Sequence, residues 1–289
     1  MARSSAGPIA AGRRPSGAWR PARAPSFNEG RREIIQELKS GTSFAAPQVT
    51  GAAALLLQKY PWMNNNALRT TLLTTATDRG AAGVDAVYGW GVLDVGRALQ
   101  GPARFAFGDF PATLGGAAGQ RYVFGNDISG AGGLVVSGQA TLTLAGQNRY
   151  QGRTVVRSGV LDVLGSITSP VQVEKNGMLT GIGSTATVNN QGAVYSSGPG
   201  LRVNGDYAQS AQATLLTDIG SLMQVSGTAT LDGRLHVQGI RAGYLTTTPR
   251  QHVFLRARQL QGRFTTLTHS PTLLLEGGLS YTAETAGLD

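Results

Sequence analysis

The stretch LTLAGQNRYQGRTVVRSGVLDV, residues 142–163, sets the pattern of the second half of the chain. Short apolar alternations such as TLTL, TVV and VLDVL are separated by Gly and Asn. Outward from this stretch, Gly125, Gly146 and Gly165 follow one another at intervals of 21 and 19 positions. A period of about 20 residues with several short strands predicts a solenoid, in which stacked coils share one core. An antiparallel β-sandwich also has short, closely spaced strands and is the alternative fold.

Composition excludes several classes of site. The 289 residues are 41% hydrophobic and 14% charged, and none is a cysteine, so disulfides and thiolate metal sites are excluded. No apolar run approaches the roughly eighteen residues of a membrane helix. The second half contains four separate aspartates that we interpret as solvated turn or edge residues: Asp162, Asp206, Asp218 and Asp232. His236 alternates with Leu235 and Val237 and should face away from the apolar side. We therefore expect no cofactor and no bound metal.

Residues 1–40 differ from the rest of the chain. They contain eight basic and three acidic residues, a large part of the net charge of +9. Such a segment could contact nucleic acid through counterion release. Trp19 and Phe27 alone interleave with the arginines, which gives no platform for stacking bases. We interpret residues 1–40 as an atypical, disordered leader and expect no nucleic-acid partner.

From Gly41 onward the sequence predicts a helix with a serine at its start. SFAAPQVTGAAALLLQKY, residues 43–60, is rich in Ala and Leu, and its small side chains favour a helix buried on most sides. Pro47 is expected near the helix start, where a missing N–H matters least. Asn65 or Asn66 should cap a second helix, and a third should begin near Asp94. By spacing alone, Ser43 could be an ordinary helix cap or a nucleophile.

The full string resembles the nucleophile motif of the subtilisin-like serine proteases, G-T-S-x-[AS]-[AS]-P-x-V-x-G. The matching positions are Gly41, Thr42, Ser43, Ala45, Ala46, Pro47, Val49 and Gly51. The resemblance continues to about Leu99 and implies that Ser43 is the catalytic nucleophile. It also implies that the backbone N–H of Ser43 donates to the oxyanion, with Gly41, Thr42 and Pro47 supporting the motif.

The sequence departs from this family at the other catalytic positions. In subtilisins the order along the chain is Asp, His, Ser. Here the first aspartate is Asp78, and the three histidines, His236, His252 and His269, all follow Ser43. The family's oxyanion asparagine also has no match, since Asn28 lies in the leader. We therefore expect residues 41–100 to be the C-terminal helical edge of an α/β subtilisin-like domain, and the chain to be a fragment that is inactive alone.

The opening stretch resembles the passenger-associated repeat of bacterial autotransporters, roughly L-T-L-x-G-x-N-x-Y-x-G-x-T-x-V-x-x-G-x-L. The matching positions are Leu142, Thr143, Leu144, Gly146, Asn148, Tyr150, Gly152, Thr154, Val156, Gly159 and Leu161. This resemblance implies a right-handed parallel β-helix with its capping junction over residues 121–289. Residues 101–120, rich in Gly, Pro and Ala, are expected to form a linker.

Together the two resemblances are those of a subtilase autotransporter. They imply a serine endopeptidase passenger at the bacterial surface, in the outer membrane or secreted. They also imply protein or peptide substrates and an outer-membrane barrel domain that this chain does not carry. The alternative function is a non-enzymatic β-helical stalk or adhesin, in which the protease edge is vestigial.

Overall fold

The computed structural model describes residues 22–28, 30, 33–39, 42–240, 252–271, 273 and 278–289. The chain divides into two compact units with a boundary between Ala103 and Arg104. The described part of the first unit contains the helices, and the second unit is built from strands. The bounds in the first unit are β1 Ala22–Asn28, β2 Glu33–Lys39, α1 Thr42–Lys59, α2 Asn65–Thr74 and α3 Val95–Ala98.

Residues 1–40 are expected to be disordered, but the part of this segment that the structure describes forms two strands. β1 and β2 form an antiparallel hairpin, with Ala22 opposite Lys39 and Asn28 opposite Glu33. The strand sequence EIIQELK contains two consecutive isoleucines, which favour extended backbone. The overall Arg, Pro and Ala content of the leader obscured this local pattern. Residues 1–21 lie outside the described residues.

Helix α1 is much less buried than its small side chains predict. Within it only Ala52 and Leu56 are buried, and α1 packs against α2. Its apolar residues Phe44, Leu55 and Leu57 are 38%, 46% and 40% exposed. The prediction of a helix buried on most sides is therefore wrong for the described residues, although both α2 and β1 contact α1.

The capping asparagine of α2 is Asn64 rather than Asn65 or Asn66. Asn64 has extended backbone, and its Oδ1 accepts the N–H of Ala67 at 2.9 Å. Three consecutive asparagines give the same sequence signal, so the sequence could not single out the first. The third helix begins next to Asp94, as predicted, and Asp94 is its cap, with Oδ1 accepting the N–H of Arg97 at 2.9 Å.

The second unit is a parallel solenoid. Its described strands are β3 Phe110–Leu114, β4 Arg121–Phe124, β5 Leu134–Gly138, β6 Thr141–Leu144, β7 Gln147–Asn148, β8 Thr154–Val163, β9 Ser166–Ile167, β10 Val171–Gly181, β11 Ser184–Thr185, β12 Val188–Asn190, β13 Ala193–Ser196, β14 Arg202–Val203, β15 Tyr207–Gln209, β16 Thr214–Ile219, β17 Met223–Leu231, β18 Arg234–Ile240, β19 His252–Gly262, β20 Thr266–His269, β21 Leu279–Tyr281 and β22 Thr285–Leu288.

Parallel pairing arranges these strands in three columns, one for each side of the coil. The first column stacks β3, β5, the start of β8, the start of β10, β12, β15 and the end of β17. The second stacks β4, β6, the end of β8, the end of β10, β13, β16, β18 and β20. The third stacks β7, β9, β11, β14, the start of β17 and the start of β19. The predicted solenoid is thus confirmed over the antiparallel sandwich.

An apolar ladder fills the second column. Each coil contributes one buried residue directly above that of the preceding coil, and every member is at most 7% exposed. The ladder consists of Tyr122, Leu142, Leu161, Leu179, Val194, Leu215 and Leu235. Burial of such a side chain contributes roughly 1.5–3 kcal/mol. The core is therefore continuous along the solenoid, although no single coil could form it.

The glycines of the repeat allow neighbouring coils to approach closely. A Cβ on Gly152 would overlap Gly133 of the preceding coil, and one on Gly165 would overlap the carbonyl oxygen of Gly146. Gly159 has φ +72°, a conformation in which a side chain is strained. These contacts explain why the Gly positions of the repeat cannot accept larger residues.

The Asn and Tyr of the repeat close one corner of the coil. Asn148 is buried, and its Oδ1 accepts the N–H of Ile128 at 3.2 Å. Its Nδ2 donates to the carbonyls of Gly146 and Ser166 at 3.0 Å each, so Asn148 connects three successive coils. The ring of Tyr150 lies 4.9 Å from that of Phe105, centroid to centroid.

The solenoid begins earlier than predicted. Residues 101–120 were expected to form a linker, yet β3 lies within them and alternates between buried and exposed side chains. Phe105 and Phe110 are buried and stack at a centroid distance of 5.2 Å. Gly, Pro and Ala dominate the composition of this segment, and they obscure the two phenylalanines that anchor the first coil. At the other end, β22 pairs antiparallel with β19 and with β21.

Candidate active site

The predicted nucleophile lies in the first turn of α1. Thr42 is the first helical residue and Ser43 the second, and both are exposed. Gly41 lies outside the described residues. Pro47 lies near the start of α1 as expected, but inside the helix, beyond the first four N–H groups, so its missing N–H does not fall where it matters least. Because proline has no N–H, residue 47 cannot donate the usual helical bond to the carbonyl of Ser43.

The helix start provides a favourable place for negative charge. The first four N–H groups of a helix have no partner within the helix, and the macrodipole places partial positive charge there. The first turn of α1 contains no acidic side chain that would oppose this effect. The N–H groups at this helix start therefore favour negative charge next to Ser43.

The far end of α1 is tied to the end of α3. Tyr60, which follows α1, is fully buried, and its hydroxyl donates to the carbonyl of Leu99 at 2.9 Å. Lys59 Nζ donates to the same carbonyl at 2.7 Å. Burial raises the pKa of Tyr60 far above its ordinary value, so the hydroxyl remains a donor. This junction fixes the C-terminal end of the helix that presents Ser43.

Residues 1–103 contain no histidine, so the first unit has no imidazole base. The three histidines belong to the second unit, and all three bond within it; His269 Nδ1 lies 3.1 Å from the carbonyl oxygen of Ser270. His236 Nδ1 lies 2.8 Å from Thr268 Oγ1, and His252 Nε2 accepts the N–H of Gly220 at 3.0 Å.

The burial around His236 is as predicted, since Leu235 and Val237 are buried while His236 is only partly buried. Burial lowers the pKa of His252 below its ordinary value, although the Asp218 carbonyl opposes the shift.

The aspartates of the solenoid stabilise turns and neighbouring coils. Asp206 Oδ1 accepts the N–H of Thr228, and Asp232 Oδ1 accepts the N–H of Gly233. Asp218 accepts the hydroxyl of Tyr195. Asp162 is buried at 6% exposure and pairs with Arg121, so its interpretation as a solvated residue is wrong. The described residues include no group of three or more potential metal ligands.

No helix in the described part of the chain is both long enough and apolar enough to span a membrane.

The first unit thus begins its long helix at Thr42–Ser43, and the second unit is a parallel solenoid. Residues 27–91 match the Subtilase family, Peptidase_S8, so the match begins within the range expected to be leader. Together with the autotransporter relative described next, this match confirms the resemblance to a subtilisin-like serine protease of the autotransporter type.

Individual relatives match different shares of the chain. The chain is 45% identical over 251 residues to the Neisserial autotransporter lipoprotein NalP of Neisseria meningitidis serogroup B, covering 83% of this chain and 23% of the relative. It is 37% identical over 179 residues to an extracellular serine protease of Serratia marcescens, covering 50% of this chain and 17% of that protein. Subtilisin DY of Bacillus licheniformis is 44% identical over 61 residues, which is 21% of each chain.

The chain thus spans about a quarter or less of the curated relatives described above. An autotransporter lipoprotein and an extracellular protease among them agree with the predicted surface or secreted location.

Proposed function

We propose that Ser43 is the nucleophile of a subtilisin-like serine endopeptidase that is exported as an autotransporter passenger. The observation that supports this is the exposure of Ser43 in the first turn of α1, within the segment that matches the Subtilase family. Its substrates would be proteins or peptides. An outer-membrane domain of the whole protein would be its partner in export.

In the proposed reaction Ser43 Oγ attacks the carbonyl carbon of a peptide bond while a histidine accepts its proton. The N–H of Ser43 donates to the oxyanion of the tetrahedral intermediate. The amine leaves with the proton from histidine, and water then hydrolyses the acyl-enzyme. Since residues 1–103 contain no histidine, we propose that the 289-residue chain alone does not cleave peptides.

A chimaera tests the assignment of Ser43. Residues 27–91 would replace the corresponding segment of the Serratia extracellular serine protease. We expect the chimaera to hydrolyse casein and Ser43→Ala to reduce this activity by about 10⁴-fold or more. Thr50→Ala removes a hydroxyl from the same helix, where Thr50 Oγ1 bonds the carbonyl of Ala46, and should leave most of the activity.

Three outcomes would contradict the proposal. Casein hydrolysis by the Ser43→Ala chimaera would show that another group is the nucleophile. Ser43-dependent labelling of the 289-residue chain by a fluorophosphonate would show that this chain is active alone. A folded chimaera that is inactive with Ser43 intact would favour the non-enzymatic stalk or adhesin.

For the second unit we propose a supporting role as the stalk of the passenger. Its interior is filled by an uninterrupted apolar ladder, and its described residues contain no metal-ligand cluster. A filled interior supports a rigid spacer better than it supports a binding cavity.

A further inference from the structure

The solenoid contains two copies of the dipeptide Asn-Gly, at Asn176–Gly177 and at Asn204–Gly205. Both asparagine side chains are exposed. A glycine after asparagine has no Cβ, so its backbone nitrogen can approach the asparagine Cγ more easily than that of any other residue. The two copies differ in the backbone that holds them.

Asn204 and Gly205 form a bend between β14 and β15. In the solenoid as described, neither the N–H of Gly205 nor the side chain of Asn204 forms a hydrogen bond. The nitrogen of Gly205 and the carboxamide of Asn204 can therefore rearrange without breaking a hydrogen bond of their own.

Asn176 and Gly177 lie within β10. They pair in register with Ser158 and Gly159 of β8. Met178, the next residue, pairs with Val160 on one side and Ala193 on the other. Movement of the Gly177 nitrogen toward the side chain of Asn176 would require local opening of this ladder.

We propose that Asn204 is a site of spontaneous deamidation and that Asn176 is protected from it. The backbone nitrogen of Gly205 attacks Cγ of Asn204, a new C–N bond forms, and ammonia leaves with the proton from that nitrogen. The resulting succinimide is then hydrolysed by one solvent water. Opening at one carbonyl gives aspartate, and opening at the other gives isoaspartate, in which the main chain runs through the former side chain. No oxidant or reductant takes part.

The isoaspartate product would disturb the corner at which three coils meet. The N–H of Asn204 donates to the carbonyl of Thr185 at 2.7 Å, and the carbonyl of Gly205 accepts the N–H of Gly227 at 2.9 Å. Isoaspartate inserts one extra methylene between these two fixed points. Each product also adds a negative charge two residues before Asp206, whose carboxylate already accepts the N–H of Thr228.

The test uses the full folded chain, incubated at mildly alkaline pH and analysed by peptide mapping with mass spectrometry. We expect Asn204 to be deamidated at least about tenfold faster than Asn176. Reaction at Asn176 first requires local opening of the ladder around β10, and a small free energy of opening is enough to slow the reaction tenfold. Methylation by an isoaspartyl methyltransferase should label the folded chain, and Asn204→Gln should remove most of this label.

The same chain in concentrated urea is the control, because both dipeptides are then equally free to react. Similar conversion of the two asparagines in urea, together with their divergence in the folded chain, would support the proposal. Equal rates in the folded chain would overturn it. The proposal would also be overturned if Asn204 remained unmodified in the folded chain for as long as Asn176.

Discussion

Arg121 joins three coils of the solenoid through one guanidinium group. Its Nη1 donates to Thr143 Oγ1 at 2.8 Å and forms an ion pair with Asp162, to which Thr143 also donates at 3.2 Å. The arginine side chain is 55% exposed and that of Asp162 only 8% exposed. The desolvation cost therefore falls on the carboxylate, which needs its partners in order to remain buried as an anion.

Substitution of Arg121 by methionine should therefore lower the free energy of unfolding. We expect a loss of about 1–3 kcal/mol, between the small effect of exposed pairs and the large effect of leaving a buried charge alone. Arg157→Met, at an exposed arginine of β8, is the matched control and should change stability by about 0.5 kcal/mol or less. Urea unfolding followed by circular dichroism measures both, and equal effects would contradict the role of Arg121.

The sequence predicts the environment of a residue well where its neighbours along the chain determine that environment. The alternation of His236 with Leu235 and Val237 predicts its orientation, and the helix predicted to start near Asp94 begins at Val95. The burial of Asp162 could not be predicted, because its partner Arg121 lies 41 positions earlier. The exposure of Ser43 also depends on packing that no local pattern specifies.

At the scale of single elements, the end of β8 shows how strongly the two sides of a strand differ. Leu161 is fully buried within the apolar ladder, whereas Val160 beside it is partly exposed. Leu161→Ala should lower the free energy of unfolding by about 2–5 kcal/mol. Val160→Ala should have a much smaller effect, below about 1 kcal/mol. Chemical denaturation of both variants checks this, and similar losses would argue against the observed register.

Two glycines should respond to alanine in opposite directions. At Gly165 the added Cβ would overlap the carbonyl of Gly146, so Gly165→Ala should destabilise the solenoid by about 1–3 kcal/mol. At Gly51, inside α1, the Cβ would meet nothing within 4 Å, so Gly51→Ala should stabilise the helix by about 0.5–1 kcal/mol. Thermal unfolding of each variant gives the sign, and a stabilising Gly165→Ala would contradict the close contact of coils.

Element types were predictable where a pattern repeats and less so where it occurs once. The Gly spacing predicted coils of about 20 residues, and the register steps Arg121 to Thr141 and Thr141 to Val160 agree. The first coil resembles a linker in sequence, because its two buried phenylalanines, Phe105 and Phe110, lie among many Gly, Pro and Ala residues. The β1–β2 hairpin was missed since its charged neighbours dominate the composition.

For the molecule as a whole, buried tyrosines should limit stability at alkaline pH. Burial raises the pKa of Tyr195 to about 12 and those of Tyr150 and Tyr207 further. The folded state thus holds these protons more tightly than the unfolded state, whose ordinary value is 10.0. Their stabilising effect is complete below that value and is lost as the pH rises through and beyond it.

We therefore expect the free energy of unfolding to decrease from about pH 10 upward. Tyrosinate absorbance and circular dichroism, recorded together, should show a shared transition, because these phenols ionise as the coils open. Full tyrosine ionisation near the ordinary pKa without loss of β-structure would contradict the prediction. Tyr150→Phe removes one such phenol and should make the alkaline loss shallower.

The stacking of coils in three columns has a consequence for how such a protein can change length. The strands of each coil pair with those of the coil before and the coil after it, so the environment of an inner coil depends little on the total number of coils. Duplication or deletion of one whole period would shift the distance between the two ends by one strand spacing, about 4.8 Å. Evolution could thus adjust the reach of this part of the protein in regular increments without redesigning its interior.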